Sequence, residues 1–147
     1  GFFDHQRKIP PYPLRPGYYV ISATLFQGVY LAASGRWNST YEREYRAAVH
    51  NIAAFEAAAQ SPPQRAKLLQ QWPLAFWENE FKVHDHYRFA RLCAWLRHQG
   101  DPPNHVGHSL FIWKLTEADL MAAVYGPPVE MSEPPPAGTG RVSLSKP

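Results

Sequence analysis

A single cysteine, Cys93, stands among the 147 residues, so the chain can hold no internal disulfide. Charge of one sign is equally scarce. The formal net charge is only +3 and the basic residues are scattered, so no nucleic-acid partner is expected. No apolar run approaches the roughly 20 residues that a membrane-spanning helix needs. The sequence also has no glycine-rich phosphate loop, no H-E-x-x-H and no G-x-S-x-G. Acid pairs such as Glu78 with Glu80, or Glu117 with Asp119, sit two apart, with no sign of the apolar pocket that would raise one pKa. No catalytic residue, metal ligand or cofactor is therefore expected in this chain.

Aromatic residues and prolines are abundant instead: five Trp, eight Tyr, eight Phe and 15 Pro. With 45% hydrophobic and 18% charged residues, the composition suits one globular domain with a real core. Large aromatic surfaces either fill that core or face a sugar, a lipid or a protein. The chain opens at Gly1 rather than Met, and we read it as a soluble piece of a longer parent.

Punctuation by proline and glycine divides the chain into an irregular lead-in (1–16), an α/β domain (17–128) and a Pro/Gly-rich flexible tail (129–147). Tyr18–Phe26 reads as a strand, rich in β-branched and aromatic residues. Ser39 with Glu42 has capping-box spacing for a helix over about 40–59, and Ser61-Pro62-Pro63 starts a shorter one closed by Pro73. Residues 74–84 fit either a helical turn or an edge strand. Asp85 is a candidate N-cap for a helix His86–Gln99 with the apolar stripe Phe89, Leu92, Cys93 and Leu96. Gly100 ends it. His108–Leu115 reads as a second strand, and Thr116 with Asp119 caps a last helix through Val124. Two strands joined through helices favour parallel pairing by a right-handed crossover. The expected fold is thus α/β, a small mostly parallel sheet covered by helices.

Candidate binding residues gather at the end of the first strand, in the stretch PGYYVISATLFQGVY (16–30). Ser22, Thr24 and Gln27 are polar positions in an apolar run. They serve either as a ligand edge at a strand's carboxyl end or as partners for nearby loop backbone. Arg88 and Arg91, three apart on one helix, share a face and could clamp a carboxylate or phosphate; the alternative is pairing with local acids such as Asp85. The expected site is therefore Gln27, Tyr30, Arg88 and Arg91, with Tyr30 offering a flat face to a sugar. The pair His84/His86, with His105 and His108 near the second strand, falls short of recognisable zinc spacing.

The opening stretch, together with FARLCAWLRHQGDPPNHVGHSLFIWKLTEADLMAAVYGPP (89–128), resembles the soluble C-terminal region of bacterial multi-spanning glycosyltransferases of the protein-mannosyltransferase superfamily. The likeness rests on the form P-G-x-Y-x-I-S-A-x-x-L-x-G-V-Y, matched from Pro16 to Tyr30. A helix ending in Leu96-Arg97 follows, then Pro103, Gly107, Ser109, Ile112 and Leu115. Residues 36–80 lie outside it. The resemblance implies a non-catalytic domain on the periplasmic side of the bacterial inner membrane. Its expected partners are the membrane domain of the same polypeptide and a polyprenyl-phosphate sugar or saccharide acceptor. The other readings are a stand-alone peptide- or saccharide-binding module and, behind both, a metal-dependent hydrolase built on His84, His86 and His108.

Overall fold

The computed structural model describes residues 14–29, 31 and 33–131. Strand β1, Gly17–Ser22, alternates as a half-buried strand must: Tyr18 and Val20 face outward, while Ile21 enters the core. It ends because Ser22 caps a short helix α1, Ala23–Phe26, its hydroxyl accepting from the Leu25 N–H at 3.2 Å. Beyond α1, Gly28 sits at φ +75°, and a Cβ there would lie 2.9 Å from the Gly35 carbonyl oxygen. The two backbone segments meet directly, with the Gly35 N–H donating to Gly28 O at 3.2 Å.

Helix α2, Ser39–Ala59, is capped by Asn38, one residue ahead of the expected Ser39; the Asn38 side-chain oxygen accepts from the Tyr41 N–H at 3.0 Å. Glu42 is thereby free of any capping-box duty. It faces inward with Tyr45, Ala48 and Ile52. Helix α3, Pro62–Gln71, begins with prolines where a helix tolerates them and buries none of its residues. Helix α4, Leu74–Arg97, absorbs both the undecided segment 74–84 and the expected helix from His86. Asp85 lies in its interior rather than at its start. Ala90, Arg91, Leu92, Cys93 and Ala94 are buried in succession, because α2, α5 and α1 all pack on α4.

The chain then makes a hairpin where a turn and a single strand were the expectation from sequence. Strand β2, Asn104–Val106, turns through Gly107 at φ +57° into β3, Leu110–Leu115. Helix α5, Glu117–Tyr125, follows with the expected capping box of Thr116 and Asp119. Among the described residues the architecture is thus five helices and one three-stranded sheet, ordered β1-β3-β2. The expected pair of strands is adjacent but antiparallel, with Tyr18 opposite Lys114 and Ser22 opposite Leu110. The mostly parallel sheet is therefore corrected. The reason is the hairpin: β2, which the helices deliver first, runs in the same sense as β1, and β3 folds back between them.

One core joins the layers. Ile21, Trp113 and Leu115 of the sheet meet Leu92, Cys93 and Leu96 of α4 and Leu120, Ala123 and Val124 of α5. Trp37, in the loop before α2, is 2% exposed and stacks edge-on to Tyr45 and Tyr87. Among the described residues no helix is long and apolar enough to cross a membrane.

Candidate functional site

Of the three buried carboxylates among the described residues, Glu42, Glu80 and Glu130, the first and last each receive an arginine bidentately. Glu42 of α2 receives Arg91 of α4 in a bidentate pair, with Nε to Oε2 at 2.9 Å and a terminal nitrogen to Oε1 at 3.2 Å. The Trp37 indole N–H donates to the same carboxylate at 2.8 Å, and Arg46 at 2.7 Å. Arg91 spends its remaining donors on α5, reaching Ala123 O at 2.6 Å and Gly126 O at 2.7 Å. Its guanidinium also lies over the Tyr45 ring, 5.6 Å from the centroid. Burial alone would push the Glu42 carboxyl up, but the bonds from Arg91, Arg46 and Trp37 outweigh it and hold the group below the usual carboxylate range. This cluster ties three helices together, and Arg91 is 3% exposed.

The other arginine-bound carboxylate is Glu130, just beyond α5. Arg97, in the last turn of α4, grips it bidentately at 2.7 and 2.9 Å. The Trp37 backbone N–H donates to it at 2.8 Å, and His98 Nε2 stands 3.5 Å away. A further Arg97 donor bonds the Phe26 carbonyl at the end of α1. Burial again works against ionisation of Glu130, and the Arg97 and Trp37 bonds again win, so its pKa is lowered.

Unlike the first cluster, this one opens to the surface. It lies in a cleft of about 560 Å³ between the end of α1, the loop before α2 and the segment that follows α4. Phe26 and Phe111, packed edge to face at 5.2 Å, form an apolar wall. Gln27, Arg36, His98 and Asp101 bring polar atoms to the remaining sides. An aromatic wall faced by amide, guanidinium, imidazole and carboxylate groups suits a small polar ligand with apolar ring faces.

Of the residues expected at the site, Gln27 lines this cleft at the C-terminal end of α1. Tyr30 lies outside the described residues. Arg88 pairs with Asp85 within α4 at 2.9 Å, as the alternative reading had it. Arg91 is taken up by Glu42. Neither arginine borders the cleft. The polar positions of the first strand also separate: Ser22 is a helix cap, whereas Gln27 reaches the cleft. Arg97, known from sequence only as part of the family resemblance, is the central cation, and Glu130, inside the stretch 129–147 expected to be a flexible tail, is buried against it. Nothing local could have joined residues 33 apart in sequence. His84 stacks on Tyr45 at 5.8 Å, and His105 and His108 stack on each other at 6.5 Å in the hairpin. Among the described residues no group of three or more His, Cys, Asp or Glu side chains is placed to hold a metal ion. In comparisons with known proteins, no family model, no curated protein and no solved structure matches the chain.

Proposed function

We propose that this chain is a non-catalytic, saccharide-facing domain of a membrane-embedded glycosyltransferase that uses a lipid-linked sugar donor. On this reading it stands on the periplasmic side of the bacterial inner membrane, and the cleft beside α1 is its contact with the sugar. The observation that carries the reading is the cleft's composition. Phe26 and Phe111 offer an apolar wall, and Gln27, Arg36, His98 and Asp101 offer donors and acceptors around it. Sugars present the matching pair of surfaces, C–H faces and hydroxyl edges. The sequence resemblance supports the parent enzyme, since two of its matched positions, Gly28 and Arg97, build the loop and the cation at this cleft.

Titration of residues 1–147 with neutral hexoses and maltose, followed by amide NMR, tests the cleft. Shifts should concentrate at Gln27, Arg36 and Asp101, and Gln27→Ala with Arg36→Ala should abolish them without altering the melting temperature. In the full-length parent the same double variant should reduce sugar transfer. Release of sugar from a polyprenyl-phosphate donor by residues 1–147 alone would overturn the non-catalytic reading.

A further inference from the structure

The Glu130 carboxylate occupies a receptor that would take any carboxylate of the right reach. Four features of its surroundings are those of an anion site. The Arg97 guanidinium meets both oxygens, at 2.7 and 2.9 Å. The Trp37 backbone N–H points at one of them from 2.8 Å, and the His98 imidazole stands 3.5 Å from the other. Arg97, His98 and Glu130 border an open cleft, while the Trp37 N–H reaches the carboxylate from the buried side. Arg91 and Glu42 make a useful contrast, since that pair is enclosed by three helices and Arg91 also fastens two carbonyls of the α5 end.

Glu130 is anchored mainly through its carboxylate. It belongs to a short segment after Pro127-Pro128 with no helix or strand around it. Its neighbours Val129 and Met131 are exposed. Of the contacts that hold it, those of its own carboxylate are the ones another carboxylate could replace one for one. An exchange that keeps Arg97 paired throughout avoids an uncompensated buried cation, so the incoming carboxylate has chiefly the tethering advantage of Glu130 to overcome, and its ring contacts must supply that.

We propose that Arg97, the Trp37 N–H and His98 form a binding site for an acidic saccharide, a sugar bearing a carboxylate such as a uronic acid, and that Glu130 is its own-chain occupant. The incoming carboxylate displaces Glu130 from Arg97 while the sugar ring lies along Phe26 and Phe111. The aromatic wall is what favours a sugar over a bare acid. This inference rests on the cleft reading above and narrows its ligand class.

The test is a titration of the 147-residue chain with D-glucuronate, D-glucose, acetate and a short peptide with a free C-terminal carboxylate. The Trp37 backbone amide and the Arg97 Nε–H are followed by NMR. In the wild type, glucuronate should move both signals at concentrations where glucose moves neither. In Glu130→Ala, which vacates the site, and in Glu130→Gln, which removes the charge that competes for Arg97, glucuronate should bind at least about tenfold more tightly, because the fraction of competent sites rises. Glucuronate, and not glucose, should also raise the melting temperature of Glu130→Ala. Should both variants fail to fold, the wild-type titration alone decides. Glucose shifts at Gln27 and Arg36 with no gain for glucuronate would overturn this inference and leave the saccharide cleft standing. Silence from every sugar would remove both, and tighter binding of acetate or the peptide than of glucuronate would overturn the assignment to a sugar.

Discussion

Arg91 shows how much a residue's role depends on the rotation of its helix. Its spacing from Arg88 places both on one side of α4, yet Arg88 stops at Asp85 while Arg91 enters the space between α2 and α5. Spacing along a helix sets which side chains are neighbours; the packing partners on each flank decide which of them are buried. Removing Arg91 leaves the buried Glu42 charge with only the exposed Arg46 and the Trp37 indole N–H, and strands the Ala123 and Gly126 carbonyls, so the cost falls toward the lower end of about 3–5 kcal/mol. Arg91→Met should therefore lower the unfolding free energy by that amount in urea, and Arg91→Met with Glu42→Leu should be more stable than Arg91→Met alone. A loss below about 1 kcal/mol for the single variant would mean that the pair carries no such burden.

The same residues set a pH dependence. Glu42 and Glu130 both have folded-state pKa values below the ordinary 4.5. As pH falls, the unfolded chain takes up their protons first, so the unfolded state gains. Their contribution is present above about pH 4.5 and is lost as pH falls through the lower folded values. The melting temperature should be nearly level above that point with respect to these groups and decline below it. Glu130→Gln should show a shallower decline. An unchanged acid slope in that variant would mean that Glu130 titrates alike in the folded and unfolded states.

At the scale of elements, α4 is where local signals and tertiary structure part. Asp85 has the chemistry of an N-cap, and a start at His86 follows from it, but the packing of Trp77, Glu80, Tyr87 and Leu92 along one continuous helix overrides that preference. The capping box of α5 and the proline start of α3 were legible because each is settled within a few residues. The cap of α2 moved by one position, since Asn38 and Ser39 are both competent and only the geometry of the preceding loop chooses between them. A proline separates the two accounts of α4. Were Asp85 the N-cap, His86→Pro would occupy the first helical position and be tolerated. In the interior of a continuous helix it removes a hydrogen bond and clashes with the preceding turn, costing about 3 kcal/mol or more. Urea unfolding of His86→Pro should show that larger loss, and a near-wild-type midpoint would restore the break at Asp85.

At the scale of the whole molecule, the direction of β3 is a matter of chain path, and no local pattern in Leu110–Leu115 encodes it. The apolar content of the two long strands made their adjacency legible, because both must bury a face in the same core. Their relative sense depended on Asn104, His105 and Val106, a run of three residues too short to carry a strand signal. With β2 present, the connection from β1 delivers a strand of the same sense, and the turn at Gly107 supplies the reversal that fills the space between. The cleft site was half legible for a related reason: Gln27 follows β1 closely, whereas Arg97 and Glu130 meet only once α4 and the segment after α5 are in place.

The register makes this arrangement testable in solution. An antiparallel pairing brings Tyr18 opposite Lys114, Val20 opposite Ile112 and Ser22 opposite Leu110, so partner numbers fall as the first strand is followed forward. Across such a pair the facing Cα atoms lie about 4.5–5.5 Å apart, within range of proton–proton cross-relaxation. Nuclear Overhauser contacts should therefore link Val20 with Ile112 in the centre, and Tyr18 and Ser22 with opposite ends of β3. Contacts from Ile112 to Asn104 should accompany them, since β3 is bordered on both sides. A parallel pair would give partner numbers that rise together and would leave Ile112 without Asn104 beside it, and that pattern would return the molecule to a crossover sheet.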